Sequence, residues 1–203
     1  MKLYDITQEL LRCQVYPGDP APQKETLCSL EQGDSYQLSA ISLCLHNGTH
    51  VDAPAHFLPN GTTIDSIALD QFVGLSYVAE HNGVLTGQDA ADILEHAKKQ
   101  NPQATRRILI KGQAVVSLEA AKVFAEAKLL LVGNESQSVG PEDAPAAVHR
   151  VLLERNVVLL EGIRLSDVPE GIYLLNAAPL QIAGAEGSPC RAWLMSLASE
   201  ERI

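Results

Sequence analysis

Residues 46 to 56 read His-Asn-Gly-Thr-His-Val-Asp-Ala-Pro-Ala-His and hold three of the chain's six histidines. No other stretch limits the local fold as tightly. His46, His50 and Asp52 share parity, so an extended strand would turn all three to one face. A straight strand, however, separates His46 from His50 by roughly 13 Å at ~3.3 Å per residue. Two ligands of one ion, each bound at about 2 Å, cannot sit that far apart. A helix would bring positions i and i+4 together, but Gly48 inside and Pro54 after it disfavour a continuous helix. A strand ending at His46, a tight turn at Asn47-Gly48, and a return carrying His50 and Asp52 to the same ion satisfies both limits. Glycine suits that turn because it tolerates positive φ. A His/His/Asp set suits a divalent transition metal such as Zn²⁺ or Mn²⁺ and leaves room for water. The same spacing also admits solvated loop histidines without metal and, for His56, a capping or packing role.

The rest of the chain has two textures. Residues 1–83 are rich in turns, at Tyr16-Pro17-Gly18-Asp19-Pro20, at Glu31-Gln32-Gly33-Asp34 and at Leu58-Pro59-Asn60-Gly61. Between them, 2–6 and 24–30 read as strands. In 39–45 the alternation of Ile41, Leu43 and Leu45 with Ser42, Cys44 and His46 reads as a half-buried strand. From Val84 onward helix and strand patterns alternate. Thr86 with Asp89 three positions on opens a helix to about Lys99. Strands are expected at 107–111, 128–132, 157–160 and 171–175, and helices at 117–126 and 141–155. Trp193 and Met195 read as a terminal strand in the core. With no repeat, linker or boundary, 1–203 reads as a single α/β domain with a mostly β front end.

A formal charge of −10 across 203 residues argues against a nucleic-acid partner and against an anionic membrane surface. The apolar runs are too short to span a bilayer. Cys13, Cys28, Cys44 and Cys190 form no C-x-x-C pair. Without a secretion signal they read as reduced thiols of a cytoplasmic protein, with Cys44 in the core.

The string His46-x-Gly48-Thr49-His50-x-Asp52-x-Pro54-x-His56-Phe57 resembles the signature of the cyclase-like metal-dependent hydrolases, a family that includes bacterial kynurenine formamidases and isatin hydrolases. Tyr16-Pro17-Gly18-Asp19-Pro20, Gly61-x-Thr63-Ile64-Asp65, and the segment from His149 through Glu161 to Gly187-Ser188-Pro189-Cys190-Arg191-Ala192 agree with it, so the resemblance spans nearly the whole chain. It implies a mixed central sheet with flanking helices in the swivelling β/β/α arrangement, and a homo-oligomer, a dimer. It also implies hydrolysis of an aryl N-formyl amide or related small-molecule amide, with one or two divalent ions, zinc or manganese, per chain. His46, His50 and Asp52 would hold the first ion, Asp52 would bridge to a second completed by His149 and Glu161, and His56 would be the proton donor and acceptor.

Read singly, the last two residues have plainer roles. His149 suits a surface helix position and Glu161 a strand end reaching solvent, although a carboxylate closing an apolar strand is rare unless paired or on a metal. Tyr16 stands where kynurenine formamidases commonly carry Trp. A phenol can stack on an aryl ring, but it adds a hydroxyl and removes area. The loop 133–139 reads as pocket lining, and His81 and His96 as solvated. A lyase or cyclase using the same ion to stabilise an enolate, an isatin-type lactam or lactone hydrolase, and a non-catalytic metal-binding protein of the same fold stay open as alternatives.

Overall fold

The computed structural model describes residues 1–197. In chain order its strands and helices are β1 (Leu3–Asp5), β2 (Gln23–Cys28), β3 (Leu38–Ser42), β4 (His50–Asp52), β5 (Val73–Glu80), β6 (Gly83–Leu85), α1 (Gly87–Gln100), β7 (Arg107–Lys111), β8 (Ala114–Val116), α2 (Leu118–Glu126), β9 (Leu131–Asn134), α3 (Ala146–Leu153), β10 (Val158–Glu161), β11 (Gly171–Asn176), β12 (Gly187–Pro189) and β13 (Trp193–Ser196). Short 3₁₀ turns fill several of the connections.

Nine strands form one mixed sheet in the order β1-β13-β11-β5-β7-β9-β10-β4-β12. Its centre, β5-β7-β9-β10, is parallel, and both flanks are antiparallel. β7, β9 and β10 are covered on both faces, so each carries a short apolar run. Alternate residues of the central strands split into two cores. Tyr77, Ile108, Ile110, Val132 and Leu159 pack with the helices, while Val78, Leu109, Leu131, Val158 and Leu160 pack on the other side. That second core also takes Val51 from β4 and Leu194 from β13, near opposite ends of the strand order, so the sheet curls over its own face. The described residues form a single α/β domain.

The helices start where their caps place them. The Thr86 hydroxyl accepts from the Asp89 amide, and the Asp89 carboxylate accepts from the Thr86 amide at 2.8 Å, a reciprocal capping box. The Ser117 hydroxyl accepts from the Ala120 amide at the start of α2. α3 begins at Ala146, not at 141 as the periodicity suggests. Pro145 precedes it, and a proline disfavours helical backbone in the residue before it. At its far end Asn156 takes φ +56. The strand expected at 128–132 begins instead at Leu131, because Lys128 takes φ +57, a left-handed conformation no strand uses.

The front end departs further from its pattern. β5, the longest strand, lies in the turn-rich stretch, where Gly74 and Ser76 break the apolar run that would announce a buried strand. The half-buried strand expected at 39–45 ends at Ser42 and is exposed on both faces. Among the described residues its only ladder partner is β2, and Leu27, Leu38 and Ile41 of this hairpin are 51%, 42% and 54% exposed. Alternation tells which residues share a face; it cannot tell whether anything covers that face.

Candidate metal centre

The turn that brings the histidines together spans Cys44 to Gly48. The Asn47 amide donates to the Cys44 carbonyl at 3.1 Å, and the Asn47 side-chain carbonyl accepts from the Cys44 amide at 2.9 Å. Gly48 takes φ +64, and a Cβ there would lie 2.8 Å from Cys13 Cβ, so both conformation and space call for glycine. His46 therefore sits within the turn, beyond the end of β3, and not on a strand end. The return strand β4 is buried between β10 and β12. Its alternation sends Val51 into the core and His50 and Asp52 to the opposite face. Antiparallel register sets Glu161 directly across from His50, and cross-strand partners project to the same side. Gly187, paired with Asp52 on the other flank, leaves room for the His46 ring, since a Cβ there would fall 2.7 Å from His46 Cε1. His149 arrives from α3.

Five donor side chains converge. His46 Nδ1 is 2.9 Å and His50 Nε2 3.5 Å from Asp52 Oδ1, while His149 Nε2 is 3.6 Å from Asp52 Oδ2. Glu161 places Oε2 3.3 Å from His50 Nε2 and Oε1 3.2 Å from His149 Nε2. These spacings match ligand atoms that share an ion at about 2.0–2.2 Å from each. Two overlapping sets result, His46-His50-Asp52 and Asp52-His149-Glu161, with Asp52 common to both. His50, Asp52, His149 and Glu161 are all at most 3% exposed. The plainer readings of His149 as a surface position and Glu161 as a solvent-reaching end do not describe the fold.

The donors suit a cation for a second reason. His46 Nε2, His50 Nε2 and Asp52 Oδ2 are buried without a hydrogen-bond partner, a costly condition unless something binds them. The ring orientations are also set. His50 Nδ1 lies 3.0 Å from the Gly48 carbonyl and His149 Nδ1 2.9 Å from the Pro145 carbonyl. A carbonyl only accepts, so each Nδ1 carries the proton and each Nε2 lone pair faces the cluster. The Val139 amide donates to Glu161 Oε1 at 2.7 Å and fixes that carboxylate. Backbone donors of this kind leave no mark in a sequence.

Charge is balanced inside the cluster. Burial would raise the Asp52 carboxyl, but its hydrogen bond from His46 and the charges of the histidines hold it well below the usual range. Burial and the Asp52 charge would raise Glu161, and the neighbouring His149 and His50 rings lower it. His46 is lifted to about 9, with burial opposing and Asp52 outweighing it. His149 is likewise raised, against burial, by Glu161 and Asp52. Burial pushes His56 down, so its ring is neutral near pH 7.

His56 stands beside the donors, with Nε2 3.9 Å from Asp52 Oδ2. Its ring stacks on His46 at 4.1 Å and meets the edge of Phe57 at 4.5 Å. A cavity of about 240 Å³ opens over these residues, bounded also by Tyr16, Asp19, Cys44, Gln137 and Ser138. The Tyr16 hydroxyl donates to the Glu142 carbonyl at 2.6 Å, which leaves the ring to line the cavity. Cys44, expected in the core, is instead half-buried at the cavity wall with Sγ 3.6 Å from Asp19 Oδ2. His96 is exposed on α1, and His81 is half-buried beside the Val84 carbonyl; neither joins the cluster. Phe57 and Asp19 stand in the recognised strings, but their places on the cavity wall emerge only from the fold.

A curled mixed sheet presenting a shared His/Asp/Glu cluster defines a metal-dependent hydrolase-like class, and the chain belongs to the Cyclase family, whose model matches residues 4–141. Among its relatives it is 34% identical over 211 residues to the kynurenine formamidase of Salinibacter ruber, covering 96% of this chain and 97% of that protein. A solved structure described as a potential metal-dependent hydrolase with cyclase activity matches with a TM-score of 0.81 at 28% identity, covering 98% of this chain and 99% of that one. Isatin hydrolase A from Labrenzia aggregata shares the fold, with a TM-score of 0.79 at 21% identity over 97% of this chain and 94% of its own.

Proposed function

We propose that this protein is a metal-dependent amidohydrolase that cleaves an aryl N-formyl amide of the formylkynurenine type. The observation that carries the reading is the pair of donor sets sharing Asp52, with His46, His50, His149 and Glu161 lining a cavity of about 240 Å³. The similarity to kynurenine formamidases along the whole chain supports it. His46, His50 and Asp52 would hold one ion and Asp52, His149 and Glu161 a second. Imidazole and carboxylate donors suit zinc or manganese.

A divalent ion in such a site supplies Lewis acidity, polarising a carbonyl and letting water ionise near neutral pH. The protein's own residues do the rest. The Gly48 and Pro145 carbonyls keep the His50 and His149 lone pairs turned inward. His56, neutral and held between His46 and Phe57, takes the proton of the attacking water. It passes that proton to the aryl nitrogen as the C–N bond breaks, releasing formate and an arylamine. Tyr16 offers a ring face to the aryl group across the cavity.

Two further attributes belong to this reading. A homodimer would cover the exposed apolar residues of the β2–β3 hairpin, since an isolated two-stranded hairpin is marginally stable in water. Four unpaired cysteines accord with a reducing, cytoplasmic setting. The deciding experiment is metal analysis joined to hydrolysis of N-formyl aryl amines, with activity lost to a chelator and restored by zinc or manganese. A metal-loaded protein that leaves these amides intact would sink the proposal.

A further inference from the structure

The two ring nitrogens of His46 face different surroundings. Nδ1 lies 2.9 Å from Asp52 Oδ1, the oxygen that His50 Nε2 also approaches, so it is the nitrogen turned toward the His46-His50-Asp52 set. Nε2 is on the far side of the five-membered ring, against the start of β12, where a Cβ on Gly187 would fall 3.2 Å from it. Among the described residues it is buried without a hydrogen-bond partner, and a carboxylate oxygen, Glu186 Oε1, stands 3.5 Å away.

Glu186 belongs to neither donor set, yet its backbone is fixed beside them. The Ala53 amide donates to the Glu186 carbonyl at 2.8 Å, the Ile64 amide donates to the Ala185 carbonyl at 2.8 Å, and Gly187 pairs with Asp52. The segment that carries Asp52 therefore also fixes where the Glu186 side chain starts. That side chain is 44% exposed, so its carboxylate can swing toward the ring without disturbing the core.

A neutral imidazole carries one proton, and an ion bound through one nitrogen confines that proton to the other. His50 and His149 keep it on Nδ1, against the Gly48 and Pro145 carbonyls. His46 is turned the opposite way. With Nδ1 at the ion site its proton belongs on Nε2, and the acceptor facing it is a carboxylate. A charged acceptor makes the stronger hydrogen bond, and a carboxylate behind a histidine ligand fixes the ring and raises its basicity.

We infer that Glu186 is a positioning residue of the metal centre, whose carboxylate accepts the His46 Nε2–H and so turns Nδ1 to the first ion. The inference rests on the metal-site part of the reading above. Rotation of the exposed side chain closes the 3.5 Å separation once the proton is confined to Nε2. The same bond steadies the ring on which His56 stacks.

The test uses the metal alone as its probe. Zinc affinity of wild type, Glu186→Ala and Glu186→Gln is read by competition with a chromophoric chelator. Glu186→Ala should bind zinc roughly 10- to 100-fold more weakly at the His46 site. Glu186→Gln, whose side-chain carbonyl still accepts the proton, should lie within about 5-fold of the wild type. A second measurement reads the proton itself. In the cobalt-loaded protein the ring N–H protons of histidine ligands give strongly shifted, solvent-exchangeable proton NMR signals. Glu186→Ala should lose one of them, from His46, and keep the one from His50; Glu186→Gln should keep both. A merely structural role would weaken binding without removing a single signal. Unchanged zinc affinity in Glu186→Ala, equal damage from both variants, or an unaltered set of exchangeable signals overturns the inference and leaves the metal-site reading standing. A wild-type protein that takes up neither zinc nor cobalt overturns that reading and this inference with it.

Discussion

His46, His50 and Asp52 come from seven consecutive residues, whereas His149 and Glu161 come from a helix and a strand far downstream. The first group is held by the backbone of one turn, with Asn47 bonded back to Cys44 and Gly48 at positive φ. The second group is held by packing. α3 seats Val148 and Leu152 in the core, and β10 pairs with β4 and β9. Both reach ligand-like spacing, and Asp52 belongs to both. One cluster can thus be built from a local motif and from tertiary packing, and the two parts should fail for different reasons.

The largest effect should come from the residue the halves share. Asp52→Ala should empty both donor sets and lower turnover on the order of 10³-fold or more. An ion retained at wild-type affinity, measured by elemental analysis, would show that the halves are independent. His56→Ala should cost roughly 10²- to 10⁴-fold in kcat with both halves still loaded, because His56, the proposed proton carrier, belongs to neither set. Undiminished turnover would remove it from the mechanism. Glu161→Gln should lower the metal content towards one ion per chain by weakening only the packed half. Unchanged stoichiometry would contradict the division.

Stability should separate the halves next. Leu152→Ala should cost about 2–5 kcal/mol and Gly48→Ala about 1–3 kcal/mol. Denaturant melts of the metal-free protein read the cost, and metal titration should then show the first weakening the His149–Glu161 half and the second the His46–His50 half. The smallest effect is a proton. In the metal-free protein, burial of His46 is outweighed by its hydrogen bond to Asp52 and by nearby carboxylates, which lift it to about 9. A raised histidine stabilises the metal-free fold below 6.5 and loses that contribution as pH climbs through about 9. An ion needs the neutral ring, so loading at pH 7 should release this proton, and affinity should rise with pH up to about 9. Calorimetry in two buffers of different ionisation heat measures the release; equal heats would contradict it.

Much of the central sheet is legible in order. Residues 107–111 form β7 as their pattern predicts, and the Thr86–Asp89 box opens α1. The errors cluster where local pattern meets a nonlocal decision. Lys128 and Pro145 shift element starts through backbone conformations that apolar periodicity does not register. β5 is masked by Gly74 and Ser76, and only its neighbours β11 and β7 make it a central strand. Ile41 alternates as a buried residue should, yet nothing in the described chain covers it. Of the centre, the His46–Asp52 half is visible from spacing together with the turn that spacing demands, and His149 with Glu161 only through resemblance.

Sequence alone determined an acidic α/β chain carrying a His/His/Asp set that has to turn back on itself, because fixed bond geometry leaves a straight strand too long for a shared ion. The tertiary structure decided the rest. It placed Glu161 opposite His50, brought His149 in from α3, and set Glu186 beside the outward nitrogen of His46. Contacts between distant segments depend on register and packing, which are summed over the whole sheet and written in no single stretch of residues.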